Sequence, residues 1–258
     1  MPRVQRRRQR RLRLKVFPIL RKSPKRDHHW AGDAMGVIQF PDPRTASPEG
    51  IVAIGGDLHP ESVLAAYRQG IFPWPVEKLP LLWFCPAERG LLDFSDLHLP
   101  RSLARARRTA KLRFTLDHAF ASVIRGCADT PRPGQHGTWI TPAVITAYCR
   151  LHDMGMAHSV EAWDPSGHLV GGAYGVDVDG AFAAESMFYR SPNASKLCIL
   201  HLIGHLRSRG LDWIDVQTLT PHMARLGARL VPRDAFLERL QRTRMRGLTL
   251  FEPRPGAA

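Results

Sequence analysis

Cysteine is scarce in this chain: Cys85, Cys127, Cys149 and Cys198 are the only four in 258 residues, and no two form a CxxC pair. A chain of this length buries a core without covalent staples, so no disulfide framework is required and a reducing compartment is the default. Long apolar runs are also missing. No window approaches the roughly 18 apolar residues of a membrane span, and the start lacks the apolar stretch of a signal peptide, which argues against membrane insertion and secretion. Acidic residues are absent from residues 1–26, which hold twelve Lys or Arg; of the formal net charge of +14 only +2 is left for residues 27–258. The remainder is nearly neutral, so overall basicity gives no argument for a nucleic-acid-binding surface. The Arg-rich start reads as a solvated extension, and its composition also fits an organelle transit peptide or an opportunistic RNA contact. With 44% hydrophobic residues over its full length, the chain has the composition of an ordinary globular protein.

Turn residues bracket an entry segment at 39–50, followed by a strand-like Ile51-Val52-Ala53-Ile54 and a Gly55-Gly56-Asp57 turn. Ser62 is a plausible cap for a short helix in which Val63, Leu64, Ala66 and Tyr67 recur at helical spacing and Gly70 is the stop. Pro73, Pro75, Pro80 and Pro86 among Phe72, Trp74, Trp83 and Phe84 prevent long regular elements while supplying aromatic surface, which predicts an ordered functional loop. From about residue 95 the pattern lengthens, placing a domain boundary near 91–96. Helices are predicted at 98–109, 117–127, 141–155, 194–209, 221–227 and 234–242, and strands at 112–116, 157–163, 169–178, 181–188 and 213–216. Asp179-Gly180 is a strong hairpin signal between two of these strands. Antiparallel strands with intervening helices make an α+β fold.

Several residues carry possible chemistry, each with a plainer reading. Glu185 and Asp215 fall inside apolar strand patterns, and Gln217 shares a strand face with Asp215. A carboxylate in such a place is costly unless paired or used, so each is either a buried structural hydrogen-bonding group or a functional one. Ile199, Leu202 and Leu206 form one helical stripe, which lines an apolar pocket or serves as a core face. Arg101, Arg105 and Arg108, with Lys111 beyond, form a basic ridge suited to phosphates or simply a solvated face. Trp74 and Trp139 are either stacking platforms for a base or core residues. His201 and His205 have metal-ligand spacing, but the glutamate of an HExxH helix is missing, and no metal or cofactor is assigned. Ser195-Lys196 reads as a helix start beside a solvated lysine more simply than as a nucleophile pair.

Nine motifs in order, among them Gly70-Ile71-Phe72-Pro73-Trp74, Thr138-Trp139-Ile140, Glu185-Ser186-Met187-Phe188, Ala194-Ser195-Lys196 and Ile214-Asp215-Val216-Gln217, resemble the leucyl/phenylalanyl-tRNA-protein transferases over residues 36–230. The resemblance implies a bacterial cytosolic enzyme, taken as a monomer, that moves Leu, Phe or less readily Met from aminoacyl-tRNA to the α-amine of proteins beginning with Arg or Lys. Such transfer marks those proteins for the N-degron route. It implies a small N-terminal domain at 36–94 and an acyl-CoA N-acetyltransferase-like catalytic domain at 95–246, between an extension at 1–35 and a tail at 247–258. Carried over by motif, Trp74 and Trp139 hold the terminal adenosine. Met187, Ile199, Leu202, Leu206 and Ile214 form the side-chain pocket. Glu185, Asp215 and Gln217 form the reaction centre, and Arg101, Arg105, Arg108 and Lys111 meet the acceptor stem. Glu185 and Asp215 are also the only acids this reading places near the acceptor's own cation. Departures from the family pattern are Thr220 where some members carry Asn, Ala184 where Gly is usual, and Phe84-Cys85 in place of Trp-Ser. A CoA-dependent acetyltransferase is disfavoured, because Tyr189 to Ala194 lack the glycines of a pyrophosphate-binding turn.

Overall fold

The structure is a computed structural model that describes residues 38–76, 79–130 and 138–253. The extension expected at 1–35 lies outside the described residues. Two sheets organise the chain. The smaller is antiparallel in the order β1 (Ile51–Ile54), β3 (Leu82–Phe84), β2 (Phe72–Trp74), with helix α1 (Pro60–Arg68) inserted between β1 and β2. The larger has seven strands in the order β10-β4-β9-β8-β7-β6-β5. These are β4 (Glu88–Asp93), β5 (Arg113–Leu116), β6 (Ala157–Trp163), β7 (Leu169–Val178), β8 (Ala181–Tyr189), β9 (Trp213–Gln217) and β10 (Arg229–Pro232). Helices α2 (Arg101–Thr109), α3 (Phe120–Asp129), α4 (Pro142–Asp153), α5 (Ala194–Ser208), α6 (Pro221–Arg225) and α7 (Arg233–Arg244) complete the α+β architecture.

Local chemistry accounts for most boundaries. Thr141 accepts a hydrogen bond from the Val144 amide at 3.3 Å, Pro142 opens α4, and Gly155 at φ +74° follows its end. Asp179 and Gly180 both have positive φ, +50° and +91°, as a type I′ hairpin between β7 and β8 demands. The boundary expected at 91–96 falls instead inside and after β4, which already pairs with β9 and β10 in the large sheet. Composition changed there because helices begin, whereas strand pairing changes sheets between Phe84 and Glu88.

All strand pairs in the large sheet are antiparallel except β8 with β9, which run parallel and share one register position, Ala183 opposite Asp215. The connection between them is α5, the crossover that a parallel neighbour requires. Two bulges flank this junction. In the β7–β8 ladder Tyr174 faces Ser186 and Gly175 faces Ala184, so Glu185 is the extra residue. In the β4–β9 ladder Gly90 faces Gln217 and Leu91 faces Asp215, so Val216 is extra. Bulges re-aim side chains and interrupt pairing, and here both lie at the same level of adjacent strands. Glycine is required opposite the first and leaves little room to spare opposite the second. A Cβ on Gly175 would sit 2.3 Å from the Ala183 carbonyl oxygen, and one on Gly90 would sit 3.1 Å from the Leu219 nitrogen.

Part of the segment expected as a tail, 247–258, is instead core. Leu250 is fully buried, Phe251 is nearly so, and the Phe251 ring stacks on His158 with centroids 3.6 Å apart. The His205 Nε2 meets the Leu250 carbonyl at 2.8 Å and fixes this return. Replacing Phe251 by Ala is expected to cost about 3–5 kcal/mol of stability, the range for a buried aromatic truncated in place. Urea denaturation would measure it, and a loss under about 1 kcal/mol would mean that the segment is not part of the core.

Candidate active site

The two bulges bring together the three polar residues picked out in the strands. Gln217 donates from Nε2 to Glu185 Oε1 at 2.5 Å, and its backbone N–H donates to Asp215 Oδ1 at 2.8 Å. That second bond closes a tight local turn in which Gln217 holds φ +56°, a left-handed conformation rare for a residue with a side chain. Asp215 therefore orients the Gln217 backbone, while Glu185 orients its amide. The Gln217 Oε1 accepts no hydrogen bond from a described residue.

Around these three stand residues that the sequence reading did not assign to the site. Arg89 on β4 binds Asp215 with a bidentate fork, at 2.8 and 3.0 Å from Nε and 2.6 Å from Nη2. Both are buried, at 1% and 4% exposure, and Arg89 Nη1 has no hydrogen-bond partner among the described residues. An arginine beside Gly90-Leu91-Leu92 carries the same signal that marked Glu185 and Asp215, a charge inside an apolar strand. Tyr67 from α1 donates to Glu185 Oε1 at 2.5 Å, and its hydroxyl lies 2.7 Å from that of Tyr148 on α4. Both tyrosines match the apolar stripes of their helices, and that periodicity concealed their polar ends.

Glu185 keeps part of its surface open, but the protein packed around its carboxyl raises its pKa to about 8. Burial is the largest cause and the neighbouring Asp215 adds to it, while Tyr67, Arg89 and Gln217 pull the other way. Burial, with Glu185 nearby, also holds both tyrosines well above their usual range. The centre is thus close to electroneutral near pH 7: Asp215 is matched by Arg89, and Glu185 is largely protonated. This corrects the expectation that Glu185 and Asp215 offer a negative surface to an incoming side chain, because neither is a free anion.

The other residues singled out take mixed places. Trp74 is half-buried and Trp139 is 7% exposed; their rings lie nearly parallel, 22° apart, with centroids separated by 5.8 Å. They are brought together, as a stacking pair must be. Ile199, Leu202, Leu206 and Ile214 are packed in the core, and of the five residues expected to form the pocket only Met187 keeps exposed surface. Arg101, Arg105, Arg108 and Lys111 are exposed and make no ion pair with a described residue. Leu103 alone anchors their helix in the core. His201 stacks on Phe114 while His205 serves the C-terminal return, so the two histidines have separate partners. Lys196 donates to Asn193 Oδ1 at 3.2 Å, and Ser195 is buried.

Comparison with known proteins gives the chain a family. Residues 91–241 match the model of leucyl/phenylalanyl-tRNA protein transferase, and residues 56–87 match that of the same family's N-terminal domain. The chain belongs to the leucyl/phenylalanyl-tRNA protein transferase family. Its members are aminoacyltransferases. The transferase of Anaeromyxobacter dehalogenans (strain 2CP-C) is 52% identical over 203 residues, covering 79% of this chain and 87% of that one. Those of Oleidesulfovibrio alaskensis and Maridesulfovibrio salexigens are 48% and 46% identical, covering 80% and 78% of this chain and 84% of each relative. Among solved structures, that of L-PGS from Bacillus licheniformis overlaps 52% of this chain and 47% of that chain, with a TM-score of 0.36 and 13% identity. No helix among the described residues is long and apolar enough to cross a membrane.

The raised Glu185 pKa has a testable sign. The folded chain keeps a proton that an unfolded carboxyl releases at about 4.3. This contribution to stability is complete below that pH and is lost progressively as the pH rises through about 8. Glu185→Gln keeps an oxygen for Tyr67 and Gln217 but cannot titrate. Its melting temperature is expected to fall less than that of the unaltered protein between about pH 5 and pH 8. Identical profiles would place the Glu185 pKa in the ordinary range.

Proposed function

We propose that the chain moves Leu, Phe or Met from aminoacyl-tRNA to the α-amine of polypeptides beginning with Arg or Lys, in the cytoplasm, and thereby marks them for N-degron-dependent degradation. One observation carries this reading. The Gln217 amide spends its N–H on Glu185 and presents a carbonyl oxygen with no described donor, in a charge-balanced centre next to the half-buried Met187 strand. Such an oxygen suits a neutral amine, which brings N–H donors and a lone pair.

The ester bond to tRNA is already activated, and an α-amine titrates at about 7.7–8.0, so a useful fraction is neutral without a strong base. In the proposed reaction the amine nitrogen attacks the ester carbonyl carbon while Gln217 Oε1 accepts a hydrogen bond from one of its N–H groups. The new C–N bond forms, the bond from carbonyl carbon to ribose oxygen breaks, and the proton lost by nitrogen ends on that ribose oxygen, directly or through water. Asp215 is not the carrier in this scheme, because its oxygens are committed to Arg89 and the Gln217 N–H. Acceleration then comes chiefly from holding amine and ester in register.

The remaining assignments follow the same reading. Trp74 and Trp139 grip the terminal adenosine; a base between two rings needs roughly 7 Å, two layers of carbon contact, so the pair parts slightly from its 5.8 Å spacing. Met187 is the adaptable mouth of the side-chain pocket, over a floor of Ile199, Leu202, Leu206 and Ile214. A residue unbranched at Cβ enters more easily than Ile or Val. The exposed ridge of Arg101, Arg105, Arg108 and Lys111 meets acceptor-stem phosphates, which makes binding salt-sensitive and largely sequence-independent. The large sheet, antiparallel but for its one parallel junction, supports an N-acetyltransferase-like catalytic domain.

The deciding assay follows labelled Leu from its tRNA to a peptide beginning with Arg, with ribonuclease as the control. Transfer is expected, and it should fall by about two orders of magnitude or more in Gln217→Ala. Full single-turnover transfer by that variant with saturating substrates would refute the assignment of Gln217. Trp74→Ala should weaken use of Leu-tRNA by about tenfold to a hundredfold, the worth of one stacked base, chiefly through KM. An unchanged KM would remove Trp74 from the nucleotide site.

A further inference from the structure

Arg89 is the most buried Arg or Lys among the described residues, and the proposed transfer step gives it no direct contact with the reacting atoms. Its surroundings are nevertheless specific. Its guanidinium carbon lies 4.6 Å from the ring centroid of Phe72 on β2 and 4.6 Å from that of Phe236 on α7, and its fork closes on Asp215 with Nε at Oδ1 and Nη2 at Oδ2. Asp215 Oδ1 in turn accepts the backbone N–H of Gln217, the residue at φ +56°. Four separate elements, β2, β4, β9 and α7, thus converge on one planar cation.

We infer that Arg89 is a positioning residue: by fixing Asp215 from behind, it holds Gln217 in the left-handed conformation that aims its amide at the reacting amine. The inference rests on the reading of Gln217 as that amine's hydrogen-bond acceptor. The geometry explains why the cation is an arginine. A planar guanidinium offers two parallel donors to one carboxylate and a flat face to aromatic rings, whereas an ammonium is a point charge on a flexible stem. With Asp215 held by two bonds, its Oδ1 stays where the Gln217 N–H needs it; with one bond the carboxylate is free to rotate. Phe72 also makes an edge contact with Trp74, at 6.2 Å between centroids.

The test uses the full chain and two variants, Arg89→Lys and Arg89→Met, with three readouts: melting temperature, steady-state transfer from Leu-tRNA, and the backbone amide resonance of Gln217 in protein labelled with 15N-glutamine. The expected result for Arg89→Lys is a folded protein whose kcat per folded molecule is lower by about tenfold to a hundredfold, the scale of a small misplacement. Its KM for Leu-tRNA should stay within about threefold, and the Gln217 resonance should move. Arg89→Met, where it folds, should lose more of kcat with the same split. A kcat within about twofold of the unaltered protein, with the Gln217 resonance unmoved, would overturn the inference. So would failure of both variants to fold, which would make Arg89 scaffold alone. If the unaltered chain transfers nothing while the Gln217 resonance still moves in Arg89→Lys, the transferase reading fails and the positioning of Gln217 by Arg89 stands.

Discussion

The polar cluster where β8 meets β9 depends on a backbone irregularity at the end of β9. A non-glycine residue in the left-handed region costs on the order of 1–3 kcal/mol and persists only where its surroundings over-determine it. At Gln217 they do so through a chain of dependencies. The conformation needs an acceptor for its N–H, which Asp215 supplies. A carboxylate buried that deeply needs a paired and hydrogen-bonded cation, which Arg89 supplies. The cation needs apolar faces that tolerate charge, which Phe72 and Phe236 supply. Removing any link leaves the previous one unsatisfied in a place that water does not reach.

The electrostatic outcome is unusual for a site that handles amines and nucleic acid. The exposed basic helix carries charge outward, but the centre itself is nearly neutral because each acid is either matched or protonated. A strongly anionic centre would hold an α-amine as its ammonium, which has no lone pair to attack with. A near-neutral centre whose foremost acceptor is an amide oxygen favours the form that reacts. Base-poor chemistry of this kind suits an ester that is already activated, and it places the demand on geometry instead of acidity.

Much of this was legible in the sequence, for identifiable reasons. Helix α4 announces itself with Thr141-Pro142 and Gly155, and the β7–β8 hairpin with Asp179-Gly180, because these signals are local. Glu185, Asp215 and Gln217 stood out because a polar residue in an apolar strand must be paired or used, and the structure joins all three. Tyr67 and Tyr148 were illegible as site residues, since an amphipathic side chain satisfies an apolar stripe with its ring and hides the hydroxyl's partner. The bulges at Glu185 and Val216 depend on cross-strand register, which no single strand encodes. The core burial of Phe251 depends on a return to β8 and α5 that a short tail gives no sign of making.

The same contacts change how the N-terminal third should be regarded. It was expected as a small domain ahead of a catalytic one, yet α1 sends Tyr67 to Glu185, β2 sends Phe72 to Arg89, and Trp74 from β2 faces Trp139 ahead of α4. The large sheet contributes Glu185 and Gln217 but neither the hydroxyl that holds Glu185 nor one of the two rings that cover the Arg89 cation. Without the N-terminal elements Glu185 would lose the Tyr67 hydroxyl and Arg89 one of its two rings. The N-terminal elements form the second wall of this polar cluster, and the strand Glu88–Asp93, which carries Arg89 in the large sheet just after the small one ends, is the seam that joins the two walls.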